Sequence, residues 1–150
     1  MTIRPEPGAY ALFCSCERPL AIEAGRLGRL LLRPGLYAYV GSALGPGGVR
    51  ARLKHHSTVT TKPHWHIYYL RARTRLERVW FTYDGLRREH EWAAALQALG
   101  GAAPMPGFGA SDCSCGAHLF FFERAPSLKL FVAKLREVDP SHPRVFLWHA

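Results

Sequence analysis

The chain has 150 residues, 48% of them hydrophobic and 21% charged, with a formal net charge of +9 carried mostly on arginine. That length is one ordinary domain, able to bury a core without staples, and the composition excludes a disordered chain. No apolar run reaches the roughly 18 residues of a membrane span, so the positive balance points to an anionic partner, nucleic acid ahead of a membrane surface.

The first residues, MTIRPEPGAY, lack an apolar segment with a cleavage site, which predicts a cytoplasmic protein. Gly8 to Cys16 (GAYALFCSC) is predicted as the first strand, rich in aromatic and aliphatic residues. LAIEAGRLGRLLLRPGLYAYVGSA predicts one or two further strands, broken at Gly25, Gly28 and Pro34-Gly35. GGVRARLKHHS is predicted as a short helix with Val49 and Leu53 as its core stripe. KPHWHIYYLRAR is predicted to be helical from His64, with Pro63 at its start. LERVWFTYDG reads as a strand ending in an Asp-Gly turn.

RREHEWAAALQALGG is the clearest helix, with Trp92, Leu96 and Leu99 on one face and glycine ending it. AAPMPGFGASDCSCGA is predicted as a long loop, a length that more often serves function than connection. HLFFFE is a strand, APSLKLFVAKLREVDP a helix starting at Ser127 and stopped by Pro140, and RVFLWHA a short edge strand. Strands come early and helices later. The order predicts an α+β domain, a small and mostly antiparallel sheet flanked by helices, spanning residues 1–150 as one unit. Its core covers about 8–123, with a helix and short strand as a C-terminal extension over 126–149. No Gly-x-Gly-x-x-Gly or P-loop pattern follows a strand, which disfavours a doubly wound nucleotide fold.

Three groups of residues carry chemistry. If the first strand pairs with the strand holding Tyr39, the phenols of Tyr10 and Tyr39 stand near one sheet edge, and Gly41 lets a substrate approach the backbone. Arg52 follows on the next helix, where a guanidinium fork matches two phosphate oxygens. Tyrosines also pack as ordinary strand formers, so the pattern is not specific alone. Second, Arg50, Arg52, Lys54, His55, His56 and Lys62 form a basic run followed by Trp65, Tyr68 and Tyr69, suited to phosphates and stacked bases. Trp65 and Tyr69, four apart, also fit a helix core.

Third, Cys113, Cys115 and His118, with His64 or His66, could supply zinc ligands, although Cys-x-Cys is tighter than the usual spacing. Otherwise Ser111 and Asp112 hydrogen-bond within the loop and the thiols pack as small hydrophobes. Cys14 and Cys16, two apart on a strand, point to one face, most simply the core.

The blocks GAY, YVGSALGPGGVRARLKHH, KPHWHIYYL, EHEWAAAL and PGFGASDCSCGAHLFFF, in this order, resemble the GIY-YIG nuclease superfamily, and within it the small standalone Uri-type branch. The resemblance runs from about Gly8 to Phe122. It implies a hydrolase that cuts nucleic-acid backbones with one Mg²⁺ or Mn²⁺. Tyr10 would be the general base or orient the attacking water, Tyr39 would contact the scissile phosphate or assist proton transfer, and Arg52 would stabilise the developing charge. Gly41, Ser42, Arg50, Lys54, His55, His56, Lys62, His64, His66, Ser111 and Asp112 would line the substrate groove. One glutamate would hold the metal.

Glu89 and Glu91 are two apart on one helix, so they point about 200° from each other. The branch's Cys-Glu-Leu-Ala aligns with His90-Glu91-Trp92-Ala93, which selects Glu91 and leaves Glu89 as the alternative. The chain departs from the branch at Ala9 in place of Ile, at Tyr68 in place of Asp, and in the 29 positions between Tyr10 and Tyr39. An excursion through ERPLAIEAGRLGRLLL accounts for that length. The leading expectation is a metal-dependent endonuclease, acting on DNA rather than RNA and on single-stranded, branched or damaged forms. A non-catalytic nucleic-acid-binding domain and a zinc-stabilised interaction domain are the alternatives.

Overall fold

The computed structural model describes residues 2–23, 28–57, 66–105 and 117–150, apart from the side chains of His66 and Tyr68. The chain runs β1 (Gly8–Cys16), β2 (Leu20–Glu23), β3 (Arg29–Leu32), β4 (Gly35–Ala43), α1 (Gly48–His56), α2 (His66–Arg71), β5 (Arg75–Tyr83), α3 (Glu89–Gln97), β6 (Ala103–Pro104), β7 (Leu119–Phe122), α4 (Leu128–Val138) and β8 (Phe146–His149). Six strands form one sheet in the order β6-β7-β4-β1-β5-β8, and every neighbouring pair is antiparallel. The fold is α+β, as expected.

β1 lies at the centre, between β4 and β5. Successive side chains of a strand point to opposite faces, and both faces of β1 are covered. Tyr10, Leu12, Cys14 and Cys16 enter one core, with Val49 and Leu53 of α1 and Ile67 and Leu70 of α2. Ala9, Ala11 and Phe13 enter the other, with Trp92 and Leu96 of α3 and Phe131 and Leu135 of α4. This is why GAYALFCSC is apolar almost throughout rather than alternating. Cys14 and Cys16 are buried and free, on the face the sequence implied, and burial pushes the Cys14 thiol up to about 11.

β2 and β3 pair only with each other, as a separate hairpin whose Ile22 and Leu32 reach the first core. This is the excursion between the two tyrosine strands. It makes three strands of a stretch expected to hold one or two. At the start of α1, Gly47 and Gly48 take φ of 82° and 56°, a conformation that favours glycine. That turn brings the Val49 amide to the Glu6 carbonyl at 2.8 Å and ties α1 to the segment before β1. The Ser127 hydroxyl accepts from the Leu130 amide at 3.2 Å and caps α4. α4 and β8 belong to the same unit as the rest: α4 fills the second core and β8 forms the sheet edge beside β5. The expected long loop begins with the short β6 pairing to β7, and its residues 106–116 lie outside the described residues.

Candidate functional site

Register brings the two tyrosines together. Tyr10 pairs with Gly41 and Leu12 with Tyr39, so both phenols stand on the α1 side of the sheet, two residues apart along adjacent strands. They lie inside the sheet rather than at its lateral edge, because the later strand β7 adds outside β4. Gly41 makes room for the Tyr10 ring: a Cβ there would sit 2.6 Å from Tyr10 Cζ. β7 pairs with β4 only from Leu36 to Tyr39, and Val40 donates to the His118 carbonyl at 2.9 Å. Gly41 and Ser42 lie beyond that last β7 pair, and Ser42 shares the Val40 face, towards α3. Among the described residues no hydrogen-bond partner meets its buried hydroxyl.

Helix α1 divides the expected basic groups by its periodicity. Val49, Leu53 and His56 follow at i, i+4 and i+7 and are buried, whereas Arg50, Lys54 and His55 are exposed. His56 therefore does not join the exposed groups with which the basic run had placed it. Its Nε2 lies 2.8 Å from Tyr10 Oη, and its ring centroid 6.4 Å from that of Tyr39. Burial first, and then the charges of Arg52, His55 and Arg71, push its pKa down to about 3. The imidazole is thus neutral near pH 7, and in the Nδ1–H tautomer its Nε2 accepts a hydrogen bond from the phenol.

Arg52, half-buried one turn before His56, opens on a cleft of about 250 Å³ lined also by Ala43, Gly45, Pro46, Gly48, Ala51 and His55. The cleft joins the bare backbone after β4 to a guanidinium and an imidazole, a pairing suited to an anionic oxygen.

The carboxylates come from the other layer. α3 packs in the second core, across the sheet from the tyrosines. Its first turn nevertheless emerges at the same strand ends, because Gly8 pairs with both Ala43 and Tyr83. Glu89 lies within about 60° of the buried Trp92, Ala93 and Leu96 around the helix axis, so it faces the sheet. Its side chain is 12% exposed and bonds the exposed Arg87 guanidinium.

Glu91 points the opposite way, 36% exposed, at 3.1 Å from Arg88 Nη1. Arg88 also holds Asp84 at 2.6 Å and Asp139 at 3.0 Å. Glu91 is thus part of a clamp between α3 and the end of α4. His118 is buried beside Val40, and its ring lies 6.2 Å from that of His90. Burial lowers its pKa, and the charge of Glu89 opposes that shift.

Tyr10, Tyr39, Arg52 and His56 are thus gathered on one face, with Glu89 and His118 at the β4 end of the other. Lys62, His64, Ser111, Asp112, Cys113 and Cys115 lie outside the described residues, as does the side chain of His66. Among the described residues no three His, Cys, Asp or Glu are grouped to hold a metal ion. The half-buried Glu89 offers carboxylate oxygen, the ligand type that Mg²⁺ and Mn²⁺ take together with water. No described helix is long and apolar enough to cross a membrane. The basic-run reading passed over Arg71, buried at the end of α2. Its spacing after Ile67 and Leu70 on one helix face was the available signal.

An antiparallel α+β domain with a tyrosine–imidazole pair beside an arginine cleft is the class of protein that the fold and site define. Residues 9–139 match the family described as domain of unknown function DUF123, and the chain belongs to that family. No curated protein and no solved structure matches it.

Proposed function

We propose that the chain is a divalent-metal-dependent endonuclease of the GIY-YIG kind, cutting phosphodiester bonds in nucleic acid, with DNA favoured. The observation that carries this reading is the buried 2.8 Å hydrogen bond between Tyr10 and His56, one turn from a cleft-lining Arg52. A neutral imidazole that accepts from the phenol aims the phenol oxygen at an attacking water. Water, held in line by Tyr10 Oη, adds to phosphorus and releases its proton to solvent, while His56 Nε2 fixes the phenol. The P–O bond to the leaving strand breaks, and that oxygen takes its proton from solvent. Arg52 neutralises the charge gathering on the phosphoryl oxygens, and Tyr39 orients the phosphate.

Glu89 is the carboxylate that the helix geometry favours for Mg²⁺ or Mn²⁺, with Arg87 released to the substrate. The bound ion would supply charge neutralisation at the phosphate. The exposed Arg50, Lys54 and His55 extend the positive surface along α1.

Labelled single-stranded, flapped and damaged DNA and their RNA counterparts, incubated with Mn²⁺, test the proposal. Cleavage is expected, lost in Arg52→Ala and in Glu89→Gln and kept in Glu91→Gln. Salt-dependent binding without cleavage under any metal would leave a nucleic-acid-binding domain, which the net charge of +9 also suits.

A further inference from the structure

We propose that Arg71 is a positioning residue: it holds the last turn of α1 so that the His56 ring stays seated on the Tyr10 hydroxyl. Its catalytic purpose rests on the endonuclease reading, but its geometry does not. Arg71 is 7% exposed, and among the described residues no carboxylate pairs with it. A guanidinium buried without a counter-charge is unfavourable unless its N–H groups find strong acceptors. Here Nε donates to the His56 carbonyl at 2.9 Å and Nη1 to the Thr74 carbonyl at 2.8 Å.

His56 is the last residue of α1, so its carbonyl is among those left without a partner inside the helix, at the negative end of its dipole. Ser57 serves the neighbouring carbonyls, through its amide to Leu53 and its hydroxyl to Lys54. The His56 carbonyl falls to Arg71. One side chain thus joins the end of α1, the end of α2 and the turn into β5, through the residue whose ring meets Tyr10.

Among the described residues, the charged and titratable groups that face His56 include Tyr10 from β1, Tyr39 from β4, Arg52 and His55 from α1, and Arg71 from α2. The positive charge of Arg71 acts with that of Arg52 to keep the imidazole neutral, behind the larger effect of burial. Position and protonation state therefore depend on the same guanidinium.

Ring-nitrogen NMR of His56 across a pH titration is the test, in the unsubstituted protein, Arg71→Met and Arg71→Lys. The unsubstituted protein is expected to hold one neutral tautomer, with Nε2 as acceptor, and a protected Arg71 Nε–H proton. In Arg71→Met the two ring-nitrogen shifts move toward their tautomer average and the titration midpoint rises. In Arg71→Lys the midpoint stays low while the tautomer averages in part.

A purely structural role predicts a lower Tm with tautomer and midpoint unchanged in both variants, and that result overturns the proposal. So does fast exchange of the Arg71 Nε–H in the unsubstituted protein, which decides the matter even if neither variant folds. No substrate enters the measurement, so a failure to cleave nucleic acid leaves its outcome standing.

Discussion

Gly41→Ala is the most direct probe of how the tyrosine site is built. Gly41 faces Tyr10 across β1 and β4, and its added Cβ would lie 2.6 Å from Tyr10 Cζ. Carbon atoms rest about 3.5 Å apart or more, so the ring must retreat by nearly 1 Å. Tyr10 is 2% exposed and has no open space to move into. A retreat of that size carries its hydroxyl out of range of His56, now at 2.8 Å. Overpacking costs about 1–3 kcal/mol, and a buried hydrogen bond left unmade about 1–3 more. Replacing glycine in a strand returns about 0.5–1 kcal/mol.

The net loss expected is roughly 3 kcal/mol, or about 6–12 °C in Tm for a domain of this size. Thermal unfolding followed by circular dichroism measures it, with Gly45→Ala, which meets nothing within 4 Å, as the near-neutral control. A Gly41→Ala protein that melts within ~1 °C of the parent, its tyrosine–imidazole bond intact, would refute the packing argument.

Tyr10→Phe keeps the ring and removes only the hydroxyl. It is expected to lower the cleavage rate by about 10² or more while the fold survives, and an unchanged rate would remove Tyr10 from the chemistry. Acid stability tests the state of His56. Its folded pKa is depressed to about 3, so the unfolded chain binds the extra proton first and stability falls as pH drops below about 6.5 toward 3. This group contributes up to about 1.4 kcal/mol per pH unit in that window. His56→Gln should flatten the slope measured by urea titration by that amount, leaving the shares of His118 and His142, whose pKa values are lowered in the same sense. A chelator should abolish cleavage and leave the circular-dichroism melt unchanged. Unfolding by chelator would instead favour a zinc-stabilised domain built on Cys113, Cys115 and His118.

Most elements were legible because their patterns are local. Strand β1 reads as continuous apolar sequence, α1 as Val49 and Leu53 at helical spacing, and α4 from the hydroxyl of Ser127 to Pro140. The same spacing already contained more than the basic-run reading took from it: His56 is the next member of the Val49–Leu53 stripe. Glu89 likewise precedes Trp92 by three and Leu96 by seven, which turns it to the sheet, while motif alignment drew attention to Glu91.

What local pattern could not reveal is long-range pairing. Arg88 meets Asp139 from 51 positions away, and Arg71 finds the His56 carbonyl from 15. Arginine is ordinarily exposed, and while helical spacing could turn Arg71 inward, nothing in the sequence names the partners that these two find. The β2–β3 hairpin was hidden for a related reason, since strands that pair only with each other leave a weak, half-exposed signature.

The placement of β1 has a consequence for how the molecule comes apart. It is the shared wall of two hydrophobic interiors, one reached through its even-numbered residues from Tyr10 and the other through Ala9, Ala11 and Phe13. Removal of that wall opens both interiors at once. The tyrosine face and the tryptophan face are thereby fused into a single cooperative unit, so damage on one side is felt by the whole.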